Sequence, residues 1–137
     1  MNYTEAKSLG NKIRRLIRTK DGYEILDRYG MGLWDEGGCW GLARAIKKNF
    51  GGNLLAIVNP FLAPPHNKEA QHAVVEIDGY FFDGNGVHKK HDLFSDWEEI
   101  LKSEIILVPL IETDDREIRC SKAAAVEIYN LIERLKH

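Results

Sequence analysis

The chain has 137 residues, of which 44% are hydrophobic and 29% are charged, and this balance is typical of one globular domain over residues 1–137. A net charge of −2 provides none of the basic excess of nucleic-acid-binding proteins, which excludes nucleic acid as the main partner. No apolar run approaches the roughly 20 residues that cross a bilayer, so we expect no membrane partner.

The cysteines and the first residues predict the compartment. Cys39 and Cys120 stand in unrelated contexts without paired spacing, which predicts reduced thiols. Residues 1–5 lack the charged start and apolar stretch of a signal peptide. We therefore expect a cytoplasmic protein, although delivery by a route without a classical signal stays open, as does the oligomeric state.

Three helices are predicted in the first fifty residues from apolar residues at helical spacing. Asp21-Gly22 is expected to break the chain after the first helix, and the basic residues on that helix to form a solvated face. The predicted helices are Thr4–Arg18 with Thr4 as N-cap, Tyr23–Tyr29 ending at Gly30, and Cys39–Phe50 stopped by Gly51-Gly52, with a glycine-rich loop over 31–38.

The rest of the chain predicts an antiparallel sheet with helices packing against it, which is the α+β class. Asp78-Gly79 between two apolar runs is a strong hairpin signal. The predicted elements are a buried strand 53–59, a proline-rich loop 60–70, hairpin strands 71–77 and 80–83 ended by 84–86, a helix 95–103 opened by a Ser95/Glu98 capping box, a strand 104–112 with Pro109 at an edge or a bulge, and a long last helix.

Cys39 is the candidate nucleophile. It follows Gly37-Gly38 and begins the third predicted helix, and we expect its sulfur to be partly exposed in a cleft. Glycines let the chain turn sharply and let a ligand approach the backbone. Unpaired N–H groups and the positive end of the helix dipole converge on a first-turn cysteine, where they favour thiolate and could stabilise an oxyanion. The alternative is a buried structural cysteine.

His72 is the candidate base, with Asp83 or Asn85 as the group that orients it. Counting residue pairs from the Asp78-Gly79 turn places Asn85 directly opposite His72 and Asp83 one step diagonal, all on one face. Asp83 is preferred because a carboxylate stabilises an imidazolium, whereas an amide only orients it. Asn85 stays the alternative. A free imidazole nitrogen would then face the thiol.

The run Gly37-Gly38-Cys39-Trp40-Gly41-Leu42-Ala43 resembles the nucleophile segment of papain-like cysteine proteases. His72 at a strand start, followed by Asp83 or Asn85 on the next strand, resembles their base and orienter. The short gap between Cys39 and His72 is similar to the compact branches of that superfamily: NlpC-type peptidases, transglutaminase-like proteins and papain-like bacterial effectors or toxins. The similarity covers residues 37–86.

This resemblance implies a papain-like fold, with N-terminal helices and the nucleophile helix packed on a small antiparallel sheet. It also implies a cysteine hydrolase acting on peptide or side-chain amide bonds of a peptide or protein substrate through Cys39, His72 and Asp83. Proteolysis, glutamine deamidation and transamidation share the same acyl-enzyme. No cofactor or metal is implied.

The sequence also departs from the papain-like pattern. The position six residues before Cys39, where that family has a glutamine oxyanion donor, is Leu33. This favours a second hypothesis of another class, a non-catalytic partner-binding protein on the same fold. Under either hypothesis, we expect Trp34, Asp35 and Trp40 to line a cleft.

Three further residues are interpreted as structural. His88 and His91 match no zinc signature and are expected in a solvated loop. Cys120 is expected near the start of the last helix in a packing role, because no histidine or acid pattern accompanies it.

Overall fold

The computed structural model describes residues 1–110 and 120–137. It confirms the α+β class: the described residues form five α-helices and one five-stranded antiparallel sheet. In chain order the elements are α1 (Tyr3–Ile17), α2 (Lys20–Tyr29), α3 (Cys39–Phe50), β1 (Asn53–Val58), a 3₁₀ turn (His66–Lys68), β2 (Ala70–Ile77), β3 (Tyr80–Asp83), β4 (Gly86–His88), α4 (Lys90–Leu101), β5 (Ile106–Pro109), α5 (Lys122–Glu133) and a 3₁₀ turn (Arg134–Lys136).

The sheet has the strand order β4-β3-β2-β1-β5, so β2 lies at its centre. Among the described residues, β5 is an edge strand that pairs only with β1. Pro109 lies on this strand, in agreement with the predicted edge position. The predicted strand began at Glu104 and is shorter in the structure. The end of that prediction, at Ile111 and Glu112, lies outside the described residues.

The β2–β3 hairpin has the predicted register. Asp78 and Gly79 have φ values of 53° and 85°, which are the left-handed conformations of a two-residue turn that matches strand twist. Val75 faces Phe82 and Ile77 faces Tyr80. The Asp-Gly pair therefore fixes which β2 side chains share a face with those of β3.

The first two helices begin earlier than predicted because of their caps. The Asn2 side chain, rather than Thr4, accepts the Glu5 N–H in a reciprocal capping box. The Thr19 side chain caps α2, so Asp21 and Gly22 lie in its first turn and do not break the chain.

The segment after β3 was predicted wrongly in two respects. A second tight turn returns the chain as β4, a strand absent from the prediction. α4 then begins at Lys90, so Ser95 lies inside the helix and caps nothing. Apolar side chains that pack under α4 extend the helix beyond its local start signal.

Helices cover both faces of the sheet. Ala73, Val75 and Phe82 belong to the main core, which contains residues of α1, α2, α3 and α5. Val74 and Phe81 alternate with them and belong to a smaller core with Leu93 of α4. The face that carries His72 is thus the α4 face.

Candidate functional site

Cys39 is the first residue of α3, as predicted. Its exposure differs from the prediction: the expectation was a sulfur partly open to a cleft, but Cys39 is 3% exposed. The backbone N–H of Cys39, the proposed oxyanion donor, is already donated to the carbonyl of Glu36 at 3.3 Å. In this conformation the nucleophile candidate is closed to a substrate.

The glycines around Cys39 have packing reasons of their own. A Cβ at Gly37 would lie 2.4 Å from the Met31 carbonyl oxygen, and one at Gly38 would lie 2.9 Å from a methyl of Leu26. The space beside these glycines, which we interpreted as room for a ligand, is therefore occupied by Met31 and Leu26.

His72 lies in β2 and is 0% exposed. Its Nε2 is hydrogen-bonded to Oδ2 of Asp83 at 2.9 Å. Its Nδ1 is buried and makes no hydrogen bond within the described residues. Cys39 contributes to the raised pKa of the ring, and since Nε2 is hydrogen-bonded to Asp83, Nδ1 is the nitrogen left to receive a proton from sulfur.

The helix of Cys39 and the side chain of His72 lie on opposite faces of the sheet. α3 packs with Ala73 and Val75, whereas His72 faces α4 through Trp97. Cys39, the first residue of α3, is the residue of this helix that contributes to the pKa shift of His72. The two candidates therefore meet at a helix end rather than along a helix face.

Asp83 is the group that contacts His72, as preferred from its chemistry. It is 3% exposed and uses both oxygens: Oδ1 accepts the backbone N–H of Asn85 and is hydrogen-bonded to Nε2 of His88, each at 2.8 Å. The bond to Asn85 closes a local turn in which an aspartate side chain binds the backbone two residues on.

Asn85 has a different position from the one expected by counting. Pairing of β3 ends at Asp83, and the Asn85 side chain accepts a hydrogen bond from Nη2 of Arg18 at 3.3 Å. Arg18 also donates to the carbonyl of Gly84 at 2.6 Å. Asn85 thus supports the Asp83 carboxylate through its backbone N–H. Arg18, which caps the C-terminus of α1, fixes the turn instead of lying on a purely solvated face.

His88 is the site residue that the sequence analysis missed. It was expected in a solvated loop, but it lies in β4 opposite Phe81 and binds Asp83. The signal was available: Gly84-Asn85-Gly86 followed by Val87-His88 has the form of a second tight turn and return strand.

Trp97 of α4 covers the imidazole of His72. Their ring centroids are 4.5 Å apart and nearly parallel, at 21°. Trp34 and Trp40, which were expected to line a cleft, are instead buried in the core, and Nε1 of Trp34 donates to the Ile17 carbonyl at 2.7 Å. Trp97 excludes water from one side of the His72–Asp83 pair.

Three pKa values are shifted in this cluster. Burial, the largest single effect, lowers the pKa of His72, but hydrogen bonds and charges of Asp83 and Cys39 outweigh it and raise the pKa to about 9. Burial likewise opposes ionisation of Asp83, yet His72 and His88 hold its pKa below the usual range. The pKa of His88 is lowered by burial and raised more strongly by Asp83 and Asp96. The cluster thus favours a carboxylate and protonated rings.

A cavity of about 460 Å³ adjoins the site. A larger one of about 570 Å³ lies against β1 and β5 and shares no lining residue with it. Of the predicted cleft residues, the smaller cavity includes Asp35. Its polar lining is Asp35, Asp83, Asn85, His88, Asp96 and Glu99.

Cys120 packs against α3. A Cβ on Gly41 would come within 2.9 Å of the Cys120 sulfur, and burial raises the pKa of this thiol. Within residues 1–110 and 120–137 no group of three or more His, Cys, Asp or Glu side chains could hold a metal ion. No helix in the same residues is long and apolar enough to span a bilayer.

No protein-family model, curated protein or solved structure shows a significant match to this chain. The function of this chain is therefore inferred from the geometry and chemistry of Cys39, His72 and Asp83.

Proposed function

We propose that this protein is a papain-like cysteine hydrolase that cleaves peptide or side-chain amide bonds. The observation that carries the proposal is the arrangement around His72: Nε2 is held by a buried carboxylate at 2.9 Å, Nδ1 is left without a hydrogen bond in the described residues, and Cys39 contributes to the raised pKa of the ring. Nucleophile, base and orienter are the three roles that acyl transfer through a thioester requires.

In the proposed reaction, the proton of Cys39 resides on Nδ1 of His72, whose raised pKa favours the protonated ring, and the thiolate attacks the amide carbonyl. The imidazolium, stabilised by Asp83, then protonates the leaving amine as the carbon–nitrogen bond breaks. Water attacks the thioester, giving its proton to His72, and the acid leaves while the thiol is restored. A peptide or protein would be the substrate, and no cofactor takes part.

The proposed reaction requires one conformational change. The N–H of Cys39 must leave the Glu36 carbonyl before it can donate to an oxyanion, and sulfur must become accessible. Movement of the turn at residues 34–38 would accomplish both. Both cysteines are free thiols, which fits a reducing compartment such as the cytoplasm.

The second candidate is a non-catalytic partner-binding protein on the same fold. The 3% exposure of Cys39 and the packing that explains Gly37 and Gly38 favour it. On this hypothesis the Cys39–His72–Asp83 group is a structural polar cluster, and its thiol would be inert.

Alkylation of the folded protein by iodoacetamide at neutral pH separates the two candidates. Cys120 is an internal standard: it is 9% exposed against 3% for Cys39, so exposure alone makes Cys120 the faster thiol. Thiolate chemistry makes Cys39 the faster one, because the Cys120 pKa is raised. Mass spectrometry of peptides measures both rates in one sample.

The matched variants are His72→Gln and His91→Gln, since His91 is exposed on α4. A hydrolase should show faster alkylation at Cys39 than at Cys120, with the advantage lost only in His72→Gln. Equal or slower alkylation of Cys39 would reject catalysis. Peptide anilides and blocked glutamine, followed by anilide and ammonia release, then distinguish peptidase from deamidase activity.

A further inference from the structure

Two imidazoles share the carboxylate of Asp83. His72 binds Oδ2 at 2.9 Å, and His88 binds Oδ1 at 2.8 Å. A nucleophile, a base and an orienter would need only the first of these contacts. The second ring therefore requires its own explanation.

His88 is the more accessible of the two rings. Its side chain is 18% exposed, against 1% for His72, and it lines the 460 Å³ cavity whereas His72 does not. Solvent and protons can thus reach His88 while the base stays enclosed between the sheet and Trp97.

We propose that His88 is a positioning residue for the base: it fixes the plane of the Asp83 carboxylate and shares the charge of that carboxylate with His72. The binding of one carboxylate by His72 and His88 is inferred from the contacts alone. Its effect on the reactivity of Cys39 rests on the proposed hydrolase function.

The orienting part follows from the freedom of an aspartate side chain. Rotation about its last torsion is broad and two-fold, so one hydrogen bond fixes the plane poorly. His88 from β4 and the Asn85 N–H from the turn both hold Oδ1. Oδ2 is then directed at His72 before any substrate arrives.

The charge part follows from like charges near one carboxylate. A protonated His88 disfavours a protonated His72, because a single negative charge must stabilise both. Asp83 and Asp96 favour the charged His88, and the His72 charge opposes it. Two further carboxylates, Asp35 and Glu99, line the cavity. The guanidinium of Arg18 binds the turn after β3 through the carbonyl of Gly84.

The test uses NMR titration of the histidine rings in the whole chain. His72→Gln removes the His72 charge, so the pKa of His88 should rise, because the opposing charge on the shared carboxylate is gone. His88→Leu removes the second side-chain donor from Oδ1, and the Nε2 proton of His72 should exchange faster with water. His88→Gln keeps an amide donor and should preserve the slow exchange, and His91→Gln should change neither measurement.

An unchanged His88 titration in His72→Gln, with amide spectra showing the native fold, would overturn the charge sharing. An unchanged proton exchange rate in His88→Leu would overturn the orienting role. Neither measurement needs Cys39 to react, so the two proposals fail separately. The effect on reactivity is read from the rate of Cys39 alkylation, which should fall in His88→Leu and stay near the wild-type rate in His88→Gln.

Discussion

Asp83→Asn tests the most consequential contact in the structure. The substitution keeps the size of the side chain but removes the charge that two imidazoles share. The folded-state pKa of His72 is about 9 against an ordinary 6.5. At about 1.4 kcal/mol per pH unit, that difference corresponds to about 3 kcal/mol of folding free energy.

Asp83 supplies the larger part of the upward shift, and Cys39 supplies the rest. The variant should therefore lose about 2–3 kcal/mol of unfolding free energy at pH 6, in line with breaking one partner of a buried pair.

The loss should depend on pH. The contribution of protonated His72 is complete below its unfolded pKa of 6.5 and disappears as the pH rises through about 9. The pKa of Asp83 is depressed, so its contribution is present above 3.8 and is lost as the pH falls below that value. The difference between wild type and variant should be largest between these limits, from 3.8 to 6.5.

Urea unfolding followed by tryptophan fluorescence at pH 6 and above pH 9 measures both effects. Asp35→Asn is the matched control, because Asp35 lines the same cavity and is exposed. It should change stability by less than about 0.5 kcal/mol. A loss below about 1 kcal/mol for Asp83→Asn at pH 6, or the same loss above pH 9, would refute the reasoning.

Three smaller substitutions test the surroundings of the site. Gly41→Ala should cost about 1–3 kcal/mol in urea unfolding, since its Cβ would lie 2.6 Å from Cδ1 of Ile128 in α5 and 2.9 Å from the sulfur of Cys120; a neutral result would contradict the packing of α5 on α3. Asn85→Ala should leave the His72 titration and Cys39 alkylation unchanged, because its backbone N–H holds Asp83; an effect as large as that of Asp83→Asn would make Asn85 the orienter. Lys102→Gly should raise the unfolding free energy by about 0.5–1 kcal/mol, because Lys102 ends α4 at φ 54°; destabilisation would show that its side chain outweighs the strain.

Local chemistry in the sequence determined the elements whose signals lie within a few residues. Asp78-Gly79 specified the hairpin and its register, and Gly51-Gly52 ended α3 at Phe50. The apolar alternation of β2 and β3 separated the core face from the face of His72, and the hairpin count placed Asp83 one diagonal step from the base, where its charge favoured it over Asn85. These features were predictable because adjacent backbone conformations fix them.

Only the tertiary structure decided how those parts assemble. The glycines before Cys39 admit Met31 and Leu26, and the sulfur is enclosed, because packing across distant segments uses the space that glycine leaves. His88 reaches Asp83 through β4, a three-residue strand too short to show an alternating pattern. Burial and charge sharing depend on every neighbour at once, so the shifted pKa values of His72 and Asp83 follow from the assembled fold and not from residue order.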